Sequence, residues 1–185
     1  MVLAFFNSDE FASLSVVNDI GGSVDGKGSS PAVAQGVVDE IRDNGGEAVA
    51  DGNSVAEERS GERIVETALT TWGRVDLLVN NAGVLDTAEL TASNQQWDEL
   101  VIGTHLHGTI NVTRAAWKAM VSQGHGSVVS TSSGAIFGSP VGLAYQAAKG
   151  GVLAFTRGLA TAGRDHGIRV NAVLPTAFTR MTDTI

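Results

Sequence analysis

Ser127-Val-Val-Ser-Thr-Ser-Ser-Gly-Ala-Ile-Phe-Gly-Ser-Pro-Val-Gly-Leu-Ala-Tyr-Gln-Ala-Ala-Lys149 reads as a short buried strand, a serine-rich strand end, a glycine-rich turn and the start of a helix. The same strand-then-helix rhythm runs through the chain on both sides. Residues 14–19 (Leu-Ser-Val-Val-Asn-Asp) are a β-branched run stopped by Gly21 and Gly22. After a polar loop over 22–30, Ser30 and Pro31 provide an N-cap and a first helical residue. The helix they start runs over 32–44, with Val33, Val37, Val38 and Ile41 at helical spacing. A strand over 47–50, a helix from about Ser60 to Gly73, and an apolar strand over 75–79 follow. A long helix from about Trp97 to Gln123 leads into the opening stretch. Tyr145 begins a helix reaching about Arg164, and a last strand over 168–174 stops at Pro175. Residues 1–13 show no clear period. Short, continuous apolar strands alternating with helices predict parallel strands buried on both faces: a doubly wound α/β fold in a single domain, 1–185.

Composition narrows the functional classes. The chain has 185 residues, 43% hydrophobic and 17% charged, which is globular and enough for one sizeable core. The formal net charge of −8, with no Lys/Arg cluster, argues against nucleic acid and against anionic membrane surfaces. There is no cysteine, so no disulfide framework and no thiolate metal site; this is compatible with a cytoplasmic protein. No apolar run reaches the length of a membrane span, and the first residues lack the basic region of a signal peptide. His105, His107, His125 and His166 do not have metal-ligand spacing, and His105 and His107 point to different helix faces. The Trp and Phe residues read as core.

In a doubly wound sheet, ligands lie outside the carboxyl ends of the strands. The conspicuous polar residues fall there: Asp19, Ser54, Asn80-Asn81, Ser130 to Ser133, and the segment after Pro175. Asp19 suits the hydroxyls of an adenosine ribose and would repel a 2′-phosphate, so NAD is favoured over NADP; it also suits an ordinary turn. Asn80-Asn81-Ala82-Gly83 leaves its strand in a sharp turn with small residues that let a ligand approach. Tyr145 and Lys149 lie four apart, so they share a helix face, and an ammonium beside a phenol favours the phenolate. Ser132 lies thirteen positions before Tyr145, where a hydroxyl could polarise a carbonyl oxygen while Tyr145 exchanges its proton. The serine run equally suits a turn satisfying its own backbone.

Taken together, Leu77-Leu78-Val79-Asn80-Asn81-Ala82-Gly83, Ser132, Tyr145-x-x-x-Lys149 and Val170-Asn171-Ala172-Val173-Leu174-Pro175 resemble the short-chain dehydrogenase/reductase family in order and spacing. Val17-Asn18-Asp19-Ile20-Gly21-Gly22 with its polar insertion, and Thr113-Arg114-Ala115-Ala116-Trp117, are similar to the subgroup holding the 3-hydroxyacyl-CoA dehydrogenase domains of multifunctional enzymes. The resemblance implies a Rossmann-like domain and an NAD-dependent oxidoreductase acting on an alcohol or ketone, as a homodimer or homotetramer. It implies Tyr145 as general acid/base, with Lys149 lowering its pKa and binding the nicotinamide ribose. Ser132 would orient the substrate oxygen and Asp19 hold the adenosine ribose. Ser54 and Val55 would flank the adenine; Asn80, Ala82 and Gly83 would line the cleft; Thr176 and Thr179 would approach the nicotinamide and pyrophosphate.

Against the family pattern the chain departs in four ways. No glycine precedes residue 14, so a glycine-rich phosphate loop and a complete first strand are not expected, and exposed sheet edges and weak cofactor binding are. His105 stands where the family has a catalytic Asn, and could relay a proton. The turn between serine and tyrosine is one residue short of the subgroup's pattern, which leaves Ser133 as an alternative to Ser132. The family's last strand lies beyond Ile185, and Thr176 replaces a usual Gly.

Overall fold

The computed structural model describes residues 2–6, 13–85, 90–91, 94–139 and 142–175. Six strands form one sheet: β1 (Val2–Phe6), β2 (Ser13–Asn18), β3 (Glu47–Asp51), β4 (Leu77–Asn80), β5 (Gly126–Thr131) and β6 (Ile168–Val173), in the order β3-β2-β1-β4-β5-β6. The β2–β3, β4–β5 and β5–β6 pairs are parallel, as the alternating pattern requires. β1 is the exception. It runs antiparallel to β2 through five residue pairs, from Val2 opposite Val17 to Phe6 opposite Ser13, and antiparallel to β4 at Val2 opposite Val79. The family's parallel first strand is therefore not what fills the middle of this sheet. The aperiodic first residues do, and the interior edges expected from the sequence are paired. Helix or strand could not be told apart in so short an apolar run; the two open ladders of β2 and β4 decide it.

The helices are α1 (Pro31–Asp43), α2 (Glu58–Trp72), α3 (Gln95–Ile102), α4 (Gly108–Gln123) and α5 (Leu143–Gly163). The long helix of the sequence reading is thus two helices, joined by a π-helical turn, Gly103–His107. Alternation along β2 sends Val16 and Val17 to opposite faces. Val17 packs with Ala34 and Val38 of α1 and Ala48 of β3. Val16 belongs to the larger core with Ile64, Val65 and Ala68 of α2, Leu78 and Val128 of the sheet, and Val112, Ala116 and Met120 of α4. On α1 the buried stripe is Ala34 and Val38, while Val33 and Val37 stay exposed. Phe137 is also exposed, at 83%, so it is not a core aromatic. β4 starts two residues later than the apolar run suggests, because the Val75 peptide is bonded by a side chain: Gln123 accepts from its N–H at 2.9 Å and donates to its carbonyl at 2.8 Å. No helix among the described residues is long and apolar enough to cross a membrane.

Candidate active site

The site forms at the carboxyl ends of β2 to β5. Alternation along β5 buries Val128 and Ser130 and continues into Ser132, which is 2% exposed. The Ser132 N–H donates to the Val173 carbonyl at 2.9 Å, and its hydroxyl donates to the Lys149 carbonyl on α5 at 2.9 Å. Its one proton is thus directed into the protein, where it joins β5 to α5. Ser133 is half-buried and turns the other way. Its Oγ accepts from the Ala135 N–H at 3.2 Å, capping the short 3₁₀ turn Gly134–Phe137, and keeps its proton to give. Of the two serines, Ser132 is turned into the core and Ser133 out of it, because the period of two sends neighbouring side chains to opposite faces.

Tyr145 and Lys149 share a face of α5, as their spacing requires, and the Lys149 Nζ lies 5.7 Å from the Tyr145 ring centre. Lys149 is buried, and its Nζ donates to the Thr131 carbonyl at 2.6 Å. Burial pushes this lysine down to about 8. The Tyr145 ring meets His105 edge-on, with ring centres 5.1 Å apart and planes at 87°. His105 is 2% exposed in the π-helical turn, whereas His107, two residues on, is exposed. Such single-turn π segments are frequent at functional sites because they re-aim side chains within a helix.

The β4 turn joins this group to the rest of the cleft. The Asn80 amide points inward, donating to Thr113 Oγ1 at 2.9 Å and to Ser130 Oγ at 3.4 Å. It ties α4 and β5 to β4, and Asn80 borders a small pocket with Val55, Ala82 and Thr104, residues that also line the cavity at Asp19. Asn81 accepts from the Thr131 hydroxyl at 2.9 Å. Gly83 is pressed against His105: a Cβ there would lie 2.4 Å from the imidazole Cε1. Ala82 and Gly83, with Asp19, Ser54 and Val55, line a cavity of about 180 Å³ between the ends of β2, β3 and β4. Asp19 Oδ1 accepts from the Gly21 N–H at 2.6 Å, the turn role, while the carboxylate still borders the cavity.

Several contributors escaped the sequence reading. Asp51 accepts from Asn18 Nδ2 at 2.7 Å, from the Asn53 N–H and Nδ2 at 2.9 Å each, and from Thr67 Oγ1 at 3.2 Å, locking the ends of β2 and β3 together. Ser23, Val24, Gly26 and Thr104 form further walls of the cavity. An acid ending a strand was the only signal available for Asp51; nothing local marks the others. Thr176 and Thr179 lie outside the described residues.

The family model for short chain dehydrogenases matches residues 23–185. The chain belongs to the short-chain dehydrogenase family. Peroxisomal multifunctional enzyme type 2 of Mus musculus is 43% identical over 178 residues, covering 95% of this chain and 24% of its own length. The crystal structure of a short chain dehydrogenase from Mycobacterium avium superposes with a TM-score of 0.78 at 40% identity, over 90% of this chain and 60% of that one. A gluconate 5-dehydrogenase from Burkholderia cenocepacia, solved with NADP and tartrate, gives a TM-score of 0.80 at 26% identity, over 91% and 64%. The chain therefore spans about a quarter of the mouse enzyme's length and under two thirds of either solved chain.

Proposed function

We propose that the chain is a nicotinamide-dependent oxidoreductase domain that moves hydride between NAD and an alcohol or ketone carbon, with a 3-hydroxyacyl thioester or similar molecule as substrate. One observation carries this reading: Tyr145 and Lys149 lie together on α5, with the Lys149 Nζ bonded to the Thr131 carbonyl at the end of β5, while Ala82 and Gly83 after β4 wall the cavity at Asp19. The name of the mouse relative supports the multifunctional-enzyme affinity.

The residues fit a dinucleotide at its two ends. The cavity at Asp19, Ser54 and Val55 suits an adenosine, and Asp19 beside it favours a ribose without 2′-phosphate, hence NAD. When bound, NAD supplies the hydride chemistry. Tyr145 holds and returns the proton of the substrate oxygen. Ser133 donates a hydrogen bond to that oxygen as charge develops on it, keeping its own proton. Lys149 has one N–H directed to Thr131 and two more for a phenolate or a ribose hydroxyl.

A second reading, a non-catalytic or impaired member of the family, has one observation in its favour. The middle of the sheet holds the antiparallel β1, so among the described residues no strand, turn and helix there present backbone N–H groups to a pyrophosphate. NADH fluorescence titration and turnover of a 3-hydroxyacyl-CoA separate the two. The first reading expects NADH binding, weak for want of a glycine-rich phosphate loop, together with turnover, and a Tyr145→Phe variant that binds NADH as the native chain does but does not turn over. Loss of binding and turnover together in Tyr145→Phe would refute the acid/base role. A native chain with neither activity would favour the second reading.

A further inference from the structure

The polar segment after β2 forms a strap across the cleft. It leaves at Gly21 and returns at Ser30, whose N–H donates to the Ile20 carbonyl at 2.9 Å. Within it, the Ser23 N–H donates to the Lys27 carbonyl at 2.9 Å and the Gly26 N–H to the Ser23 carbonyl at 2.8 Å. Its tip lies on the β4 turn: the Leu85 N–H donates to the Val24 carbonyl at 2.9 Å. Gly26, at φ +76°, sits so close that a Cβ would be 3.0 Å from Val84 Cγ1 and 3.2 Å from Leu100 Cδ2. The same Val24 and Gly26 wall the cavity.

Val84 is where the strap meets His105. The imidazole Nε2 lies 3.1 Å from the Val84 nitrogen and 2.8 Å from the Val84 oxygen, so either tautomer finds a partner on the Val84 backbone. Gly83, next in line, leaves the space the ring occupies. The same ring packs T-shaped with Tyr145, the ring centres 5.1 Å apart. An unbroken path of contacts thus runs from the wall of the nucleoside cavity, through Val24, Leu85, Val84 and His105, to the phenol.

We propose that His105 is a positioning residue that couples the strap over the cavity to Tyr145, bonding the Val84 backbone with Nε2 and packing T-shaped with the Tyr145 ring. A purine nucleotide seated against the strap then shifts the phenol's position. A buried imidazole suits this better than an apolar side chain, because the Val84 peptide lies past the end of β4 and needs a partner that the sheet does not provide. Spatial continuity is only the motive; coupling is shown when one end responds to a ligand at the other and the response depends on the link. The proposal rests on the cleft being a nucleotide site.

Tyr145 is the only tyrosine in the chain, so ring-13C tyrosine labelling gives signals from this residue alone. The probe is AMP, which has no nicotinamide to touch the phenol. In the native 185-residue chain, strap amide signals and the Tyr145 ring signals are expected to move along the same AMP binding curve. In His105→Leu the strap signals still move and the Tyr145 response is lost, while His105→Asn, whose amide can serve the Val84 peptide, restores it. Should His105→Leu not fold, Gly83→Ala keeps the imidazole but displaces it, and must also uncouple the two. A Tyr145 response undiminished in His105→Leu, or in Gly83→Ala where that variant stands in, overturns the proposal, as does a native chain whose strap moves while Tyr145 does not. A strap that ignores AMP overturns the nucleotide reading and this proposal with it.

Discussion

Replacing Lys149 with Met should change how stability depends on pH more than it changes stability at any one pH. The lysine is 5% exposed, and burial takes it from the usual 10.5 down to about 8. Between those values the unfolded chain still holds a proton that the folded protein has lost. Stability therefore rises with pH across that window. Below about 8 both states are protonated and the cost of burying the ammonium is present in full; above 10.5 both are neutral and it is gone. At about 1.4 kcal/mol per pH unit, the gap amounts to about 3 kcal/mol. Met has a similar length and no proton to lose. Its variant also forfeits the bond to the Thr131 carbonyl, whose change in strength as the lysine loses its proton is already contained in the native lysine's lowered pKa. Urea denaturation followed by tryptophan fluorescence, from pH 7.5 to 10.5, gives the test. With a urea m-value of about 2–3 kcal/mol/M, the native midpoint should gain roughly 1 M over the variant's across the window. Parallel curves for the two proteins would refute a buried, proton-poor Lys149.

The two serines should separate cleanly. Ser133→Ala is expected to lower kcat about 100-fold, the usual size of effect for losing a donor to a developing oxyanion, while loss of its cap on the 3₁₀ turn lowers the melting temperature by only about 2–4 °C. Ser132→Ala should instead leave kcat largely intact and cost about 1 kcal/mol in urea denaturation, because its hydroxyl joins β5 to α5. Asp51→Ala should destabilise by about 2–3 kcal/mol in the same assay, since it takes the carboxylate acceptor from the Asn18 Nδ2 and from the Asn53 N–H and Nδ2, while Thr67 keeps the Arg63 carbonyl. A loss below about 0.5 kcal/mol would show that water replaces the carboxylate there.

The strands at 14–19, 47–50, 127–131 and 168–174, and the helices between them, were legible because their signals are local: apolar period, a Ser-Pro start, Gly ends. Tyr145 and Lys149 were legible for the same reason, since helix geometry alone puts residues four apart on one face. The choice between Ser132 and Ser133 was not. Counting from the tyrosine crosses a turn of variable length, while the deciding fact is which serine the β5 alternation sends into the core.

By itself, then, the sequence determined an alternating α/β chain of the short-chain dehydrogenase family, with an acid at one strand end and a tyrosine and a lysine on one face of a helix. Tertiary structure decided the rest. It set β1 antiparallel in the middle of the sheet, because open ladders on β2 and β4 accept a strand whose own pattern says little. It turned Asn80 inward to Thr113. It also brought His105 between Val84 and Tyr145, residues 21 and 40 positions away from it in the chain. Contacts at such separations depend on how whole elements pack, and no local window of the sequence contains both partners.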